Sequence, residues 1–411
     1  MPKMPLSPIH ALHSLQLIRA EGSISRAHLA DKTGHSPFLI SKICDKLLVA
    51  GFVSEAGQGD STGGRRPTLL SLKPGLGRLI GIHLGTVNVR IAMTDFSGEL
   101  IDYVKAESRC DRGPEIALQH VSELVDKMLK RAGVSSSKLD GIGIGISGVV
   151  ERNTGSILFW PKLPLWINVP VRKTFEDRYK TVVELEDTPR TQAFAEYRLG
   201  GVNPAKHFIY VAVGAGIGAA LFLNGQLYSG ASGFAGEFGH ISTSEIGPLC
   251  SCGNRGCLET LVSAAALIRE ARQGMAAGLS NTLTKMSQAE SGNISVEMLA
   301  QAAREGDRYS LRLLSETGAQ LGRSMVGLIN LLDPELIVIG GGVASAIGEL
   351  ILPEVERVIR ERAMIQGNPL KIQISKLQER DWAIGATLLV AEKALAKSFK
   401  DKTESKKRAA V

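Results

Sequence analysis

Nowhere in the 411 residues does an apolar run approach the roughly 20 residues that span a bilayer. The start, Met1-Pro2-Lys3-Met4-Pro5, has no apolar segment and no small-residue cleavage site, so a secretory signal is not expected and a cytoplasmic location is. Cysteine is scarce and odd in number. Of the five, Cys44 and Cys110 stand alone and Cys250, Cys252 and Cys257 lie within eight residues, which excludes a disulfide framework and points to metal ligation. A chain this long exceeds one ordinary core, so two or three domains are expected, and 44% hydrophobic with 22% charged residues is a globular composition.

What is present is unevenly placed. Residues 1–78 carry ten Lys or Arg against five acids, and residues 397–411 carry six against two, although the whole chain is only +7. A basic head on a near-neutral body calls for a polyanion partner. The basic end, 398–411, is expected to be disordered and solvated.

The head reads as three helices and a hairpin. Leu12, Leu15 and Ile18 recur at helical spacing; Ser25 caps a second helix that stops at Gly34; Ser36-Pro37 opens a third, whose buried stripe is Ile40, Ile43, Leu47 and Leu48. Phe52-Val53 and Leu69–Leu72 are strands around the tip Gly63-Gly64-Arg65-Arg66-Pro67. This is the pattern of a winged helix-turn-helix that binds double-stranded DNA. Ser36, Pro37, Phe38, Ser41 and Lys42 would begin the recognition helix, and Arg65 and Arg66 would form the basic wing tip.

Beyond Lys73-Pro74-Gly75 strands and helices alternate, which is an α/β architecture. Strands are expected at 79–84, 89–95, 99–106, 142–146 and 181–185, a helix at 114–131, and a second set of strands at 208–213, 218–223 and 336–339. Two like αβ units imply a duplicated, two-lobed fold with a cleft. The expected division is 1–74 for the winged head, 75–195 for the first lobe and 196–380 for the second. Residues 381–397 would be a helix returning to the first lobe.

Gly239-His240 followed by Cys250-Ser251-Cys252-Gly253-Asn254-Arg255-Gly256-Cys257 offers three thiolates and one imidazole, a closed tetrahedral shell for structural zinc. The glycines let the chain fold back around the ion.

Ala235-Gly236-Glu237-Phe238-Gly239-His240, with the Cys-x-Cys-Gly-x-x-Gly-Cys-x-Glu run ending at Glu259, resembles the signature of the ROK family of repressors, open reading frames and kinases. The resemblance extends from about Arg78 to Lys397, and with the winged head it is to the transcriptional branch, the xylose and N-acetylglucosamine repressors. It implies a ribonuclease-H-like or actin-like scaffold, a homodimer or homotetramer, and a small sugar effector contacted by Gly148, Glu186, Asp187, Glu237, His240 and Glu259. Kinases of the family carry an Asp-x-Gly-Gly-Thr loop where this chain has His83-Leu84-Gly85-Thr86, and a Gly-Thr-Gly where it has Gly214-Ala215-Gly216. Their base-bearing Glu-Asn-Asp-Ala-Asn aligns with Glu186-Asp187-Thr188-Pro189-Arg190, which puts Thr188 where the base would be; a hydroxyl is not basic near pH 7. Lys162 stands where the family often has Asn. The expectation is a sugar-responsive regulator, a repressor before an activator, without kinase catalysis. The alternatives are an ATP-dependent sugar kinase with a DNA-binding head, for which Asp187 would have to serve as base, and a regulator that answers to a partner protein.

Overall fold

Residues 8–60, 66–202, 205–364 and 370–408 are described by the computed structural model. The chain divides into two compact units: 1–158, 165–186 and 382–411 form the first, and 159–164 with 187–381 form the second.

The first unit begins with α1 (Pro8–Glu21), β1 (Ile24–Ser25), α2 (Arg26–Thr33) and α3 (Pro37–Val49). The Ser25 hydroxyl accepts from the His28 N–H, and Gly34 ends α2 in the left-handed conformation that a residue without Cβ adopts freely. The Ser36 hydroxyl accepts from the Leu39 N–H, with Pro37 in the first turn. β2 (Val53–Gln58) and β3 (Thr68–Leu72) form the wing, and β1 pairs with β3 to make a three-stranded sheet. β1 was not foreseen: two residues are too few to show a period. Arg65, expected at the wing tip, lies outside the described residues.

Next come β4 (Leu79–Leu84), β5 (Asn88–Thr94), β6 (Leu100–Glu107), α4 (Pro114–Arg131) and β7 (Gly141–Ile146). A small sheet follows from β8 (Val149–Glu151), β9 (Ser156–Phe159) and β10 (Ile167–Val169), then α5 (Val171–Tyr179) and β11 (Val182–Asp187). The main sheet has the order β11-β7-β4-β5-β6, with β4 and β7 parallel and β4-β5-β6 an antiparallel meander. β4 and β7 are buried along their whole length, as central strands covered on both faces are.

The C-terminal helix, Glu379–Arg408, lies against this sheet from Trp382 onward. Glycines let it approach: a Cβ on Gly81 would stand 2.0 Å from the Ala383 carbonyl, and one on Gly143 1.8 Å from that of Ala386. Further along, Val390, Ala391, Ala394, Leu395 and Phe399 join one apolar cluster with Leu15, Ile18, Leu29, Ile40, Ile43, Leu47 and Phe52 of the head. The expected disordered end at 398–411 is corrected as far as Arg408, where the helix ends; residues 409–411 lie outside the described residues. Phe399 is buried on Phe52 with ring centroids 5.4 Å apart, and the exposed Lys402 ammonium lies 4.6 Å from the same ring, so an anchored aromatic starts a segment whose charge alone suggested solvation.

The second unit holds α6 (Thr188–Leu199), β12 (Phe208–Val213), β13 (Ile217–Leu223) and β14 (Gln226–Tyr228), followed by α7 (Glu259–Val262), α8 (Ala264–Ala276), α9 (Asn281–Ala289), α10 (Val296–Arg304) and α11 (Arg308–Leu332). β15 (Leu336–Gly340), α12 (Gly342–Arg362) and β16 (Lys371–Ile374) complete it. Its sheet, β14-β13-β12-β15-β16, repeats the meander-then-parallel arrangement of the first. The division falls after Glu186 rather than near residue 195, because Ala193 of α6 is buried with Phe208, Tyr210 and Phe222 of the second sheet.

Candidate metal centre, polar cluster and DNA-binding face

The metal ligands sit on a knuckle closed by two antiparallel bridges, Ser242 with Cys257 and Leu249 with Arg255. Gly256 has φ +62°, and a Cβ there would lie 1.8 Å from the Ser244 carbonyl, so only glycine lets the two arms meet. The donor atoms of His240, Cys250, Cys252 and Cys257 all lie within 4.8 Å of one another. Cys250 Sγ is 3.5 Å from His240 Nδ1, and Cys252 Sγ is 3.6 Å from Cys257 Sγ. A tetrahedral ion with metal–sulfur bonds of about 2.3 Å and metal–nitrogen bonds of about 2.05 Å requires edges of about 3.8 and 3.6 Å, so these two pairs already stand near ligand spacing. Burial first, then the adjoining Cys252 and Cys250, push the Cys257 thiol up to about 12 without a cation. Three thiols so close cannot ionise together; a divalent metal supplies the missing charge. The cluster can therefore hold a metal through Nδ1, which leaves His240 Nε2 3.8 Å from Glu237 Oε2.

Around that histidine the second unit gathers the other candidate residues. Burial raises the Glu237 carboxyl above its usual range, opposed by the charges of His240 and Arg190 and helped by that of Glu259. Asp187 caps α6, accepting from the Arg190 N–H at 2.9 Å, and pairs with the Arg190 guanidinium at 3.0 Å. Arg190 is buried and also donates to the Gly233 and Ala235 carbonyls, both at 2.7 Å, just before Glu237. Glu259 opens α7; its Oε2 accepts the Ile217 N–H at 2.9 Å and its Oε1 is 3.5 Å from Lys162 Nζ, which also donates to the Ala215 carbonyl. Thr188 begins α6, its carbonyl accepting from the Thr191 hydroxyl. In the first unit, Gly148 follows β7 and Glu186, one residue before the end of β11, pairs with Arg152.

Three cations were thus missed as site residues or left without a partner by the sequence reading: Arg152, Lys162 and Arg190. Only Arg190 stands at a spacing from its carboxylate that a helical reading reveals. Arg152 and Glu186 are 34 residues apart, and Lys162 and Glu259 are on distant segments.

The glycine-rich segments have local explanations. His83 is buried with its ring 5.2 Å from that of Trp382, and Leu84 is buried too. A Cβ on Gly340 would come within 2.2 Å of the Tyr210 hydroxyl, and Gly341 has φ +93°, so packing and backbone conformation demand these two glycines without any ligand.

On the head, Ser36, Pro37, Phe38 and Lys42 are exposed and Ser41 half-buried. Arg26 pairs with Asp45 at 2.8 Å and donates to the Ser41 hydroxyl at 2.9 Å. The acid on the recognition helix is thereby neutralised by its own neighbour. Arg66 is exposed beside the wing strands. Among the described residues no helix is long and apolar enough to cross a membrane.

A winged helix-turn-helix, two lobes built on like five-stranded sheets of the ribonuclease-H-like or actin-like kind, and a cluster of one histidine and three cysteines beside a carboxylate-rich segment define a class: DNA-binding heads on sugar-kinase-like scaffolds. Similarity to known proteins agrees. The ROK family profile matches residues 79–393, and the chain belongs to the ROK family. It is 33% identical over 392 residues to the xylose repressor of Caldicellulosiruptor bescii, covering 95% of this chain and 97% of that one. Among solved structures it is similar to a ROK family transcriptional regulator, a homolog of the Escherichia coli MLC protein. That match has a TM-score of 0.78 and 25% identity and covers 96% of this chain and 99% of the other. A ROK family glucokinase from Streptomyces griseus, solved with glucose and AMPPNP, has a TM-score of 0.67 and 26% identity and covers 76% of this chain and 98% of its own.

Proposed function

We propose that the protein is a sugar-responsive, DNA-binding transcriptional regulator, a repressor in sign, whose ROK scaffold senses its ligand without phosphorylating it. The observation that carries this reading is whole-chain similarity to named repressors and to a transcriptional regulator, while the glucokinase matches about three quarters of the chain. The head reads an operator through Ser36, Pro37, Phe38, Ser41, Lys42, Arg65 and Arg66. The sugar is held by Gly148, Glu186, Asp187, Glu237, His240 and Glu259, carboxylates suiting hydroxyl donors. His240, Cys250, Cys252 and Cys257 hold zinc, whose role when bound is to fix the knuckle and orient His240. The protein works in the cytoplasm as a homodimer or homotetramer.

In this reading three motifs depart from the kinase pattern: His83-Leu84 in the first phosphate loop, Gly214-Ala215-Gly216 in the second, and the base position. Thr188 replaces the base. The Asp187 carboxylate one place away caps α6 and pairs with Arg190, so shifting the register by one residue gives a base already tied to a cation, while its remaining lone pairs accept a sugar hydroxyl. Binding is then transmitted as a population shift: sugar releases DNA only if it favours the state that binds DNA less well.

The test is fluorescence anisotropy of the protein on its own upstream DNA across a salt series, with a sugar panel added. Salt-dependent binding relieved by one sugar is the expected result, and no binding to that DNA at low salt refutes the reading. Retention of Glu237, His240 and Glu259 favours a second reading, a sugar kinase with an attached head. ADP release dependent on sugar, and abolished by Asp187→Asn, would establish it.

A further inference from the structure

We propose that Phe38 reads the C5-methyl of a thymine in the major groove, with Lys42 fixing its ring for that contact. The inference rests on the DNA-binding reading above and names what the recognition helix recognises.

Phe38 is 70% exposed on the first turn of α3, which buries Ile40, Ile43, Cys44 and Leu47 and also exposes Val49 at its far end. At the working end of the helix the ring offers apolar surface whose burial by a partner would be favourable. The ring is also held in place. One turn on, the Lys42 ammonium sits 4.3 Å from its centroid, which restrains the ring and places a cation beside it.

The surroundings choose the occupant. The Arg26–Asp45 pair cancels its own charges, which leaves Lys42 as the charge beside Phe38, and residues 1–78 carry ten bases against five acids. A cation beside an apolar tip fits a polyanion that presents an apolar group, and thymine alone among the DNA bases offers a methyl to the major groove. Lys42 is then placed to donate to a neighbouring base edge or phosphate.

The contact has a clean probe, because uracil differs from thymine only by that methyl. A duplex is selected from a random library by the full-length protein, its thymines are replaced by uracil one at a time, and affinity is measured by anisotropy at fixed salt. Wild type should bind about fourfold more weakly at one thymine position, since a buried methyl is worth about 0.8 kcal/mol and 1.4 kcal/mol is tenfold. Phe38→Ala should bind thymine and uracil duplexes alike at that position, and Phe38→Leu should keep part of the preference. Lys42→Gln should weaken all duplexes, lower the salt slope by about one and, with the ring no longer held, reduce the uracil effect. Wild-type indifference to uracil at every position overturns the inference, as does full discrimination retained by Phe38→Ala. If the protein selects no sequence at all, the regulator reading itself falls.

Discussion

Gly143→Ala adds one methyl where the C-terminal helix meets the central sheet, and the structure sets its cost. The new Cβ would lie 1.8 Å from the Ala386 carbonyl oxygen, whereas real Cβ atoms almost never come closer than 3.0 Å. A main-chain carbonyl cannot rotate aside as a side chain can. The helix must therefore retreat by more than about 1 Å, a gap that forfeits a quarter to a half of each dispersion contact it opens. Ala383, Ala386 and Val390, all buried against the strands, share that loss. With the usual overpacking penalty the cost is about 2–4 kcal/mol. At roughly 2–3 kcal/mol per molar urea this lowers the unfolding midpoint by about 1 M. Trp382, at the start of the helix, reports the transition by its fluorescence. Gly327→Ala is the control: Gly327 is exposed within α11 and a Cβ there meets nothing within 4 Å, so the same substitution should stabilise by about 0.5–1 kcal/mol through helix propensity alone. If Gly143→Ala unfolds within about 0.5 kcal/mol of wild type, the close approach of helix and sheet is wrong.

Elemental analysis of purified protein should find about one zinc per chain, and Cys257→Ser should abolish it and cost more than about 3 kcal/mol in thermal unfolding. Glu196, 1% exposed, has its carboxyl raised above the usual range by burial first and also by Asp381, against the lowering bond from Ser375. The folded protein therefore holds this proton more tightly than the unfolded chain, so ionisation above about 4.5 costs the folded state. Relative to wild type, Glu196→Gln should be stabilised at pH 7.5 and lose that advantage toward pH 4.5, as urea midpoints at the two pH values will read. Arg190→Leu takes the cation from Asp187 and the donors from two carbonyls in a buried setting, and should cost about 3–5 kcal/mol. Asp187→Asn, which keeps an oxygen for the α6 cap, should cost about 1–2 kcal/mol in the same denaturation assay.

The sequence was most legible where a local rule acts alone. Ser25, Gly34 and Ser36 stand at helix ends as their side chains or lack of one require, and α4 and β12 coincide with their expected bounds because their apolar period is unbroken. The group of His240 and its three cysteines was legible from spacing and chemistry together. Legibility failed where distant segments decide. β1 exists because β3 pairs with it, and β8 to β10 are strands of three or four residues with no period of their own. The helical run past Lys397 depends on Phe399 meeting Phe52, which charge counting cannot see. The carboxylates expected at the sugar were visible, but the arginines and lysine that neutralise them mostly lie too far away in sequence to be paired by inspection.

The shared apolar cluster of head and C-terminal helix has a consequence for modularity. Leu15, Ile18 and Phe52 are covered in part by residues more than 330 positions later, so an isolated fragment of residues 1–74 would expose a greasy seam to water and invite aggregation. A head transplanted from another regulator would need to bring a matching seam. Shortening the chain by its last 20 residues should loosen the grip on nucleic acid even though no residue of the reading surface is touched.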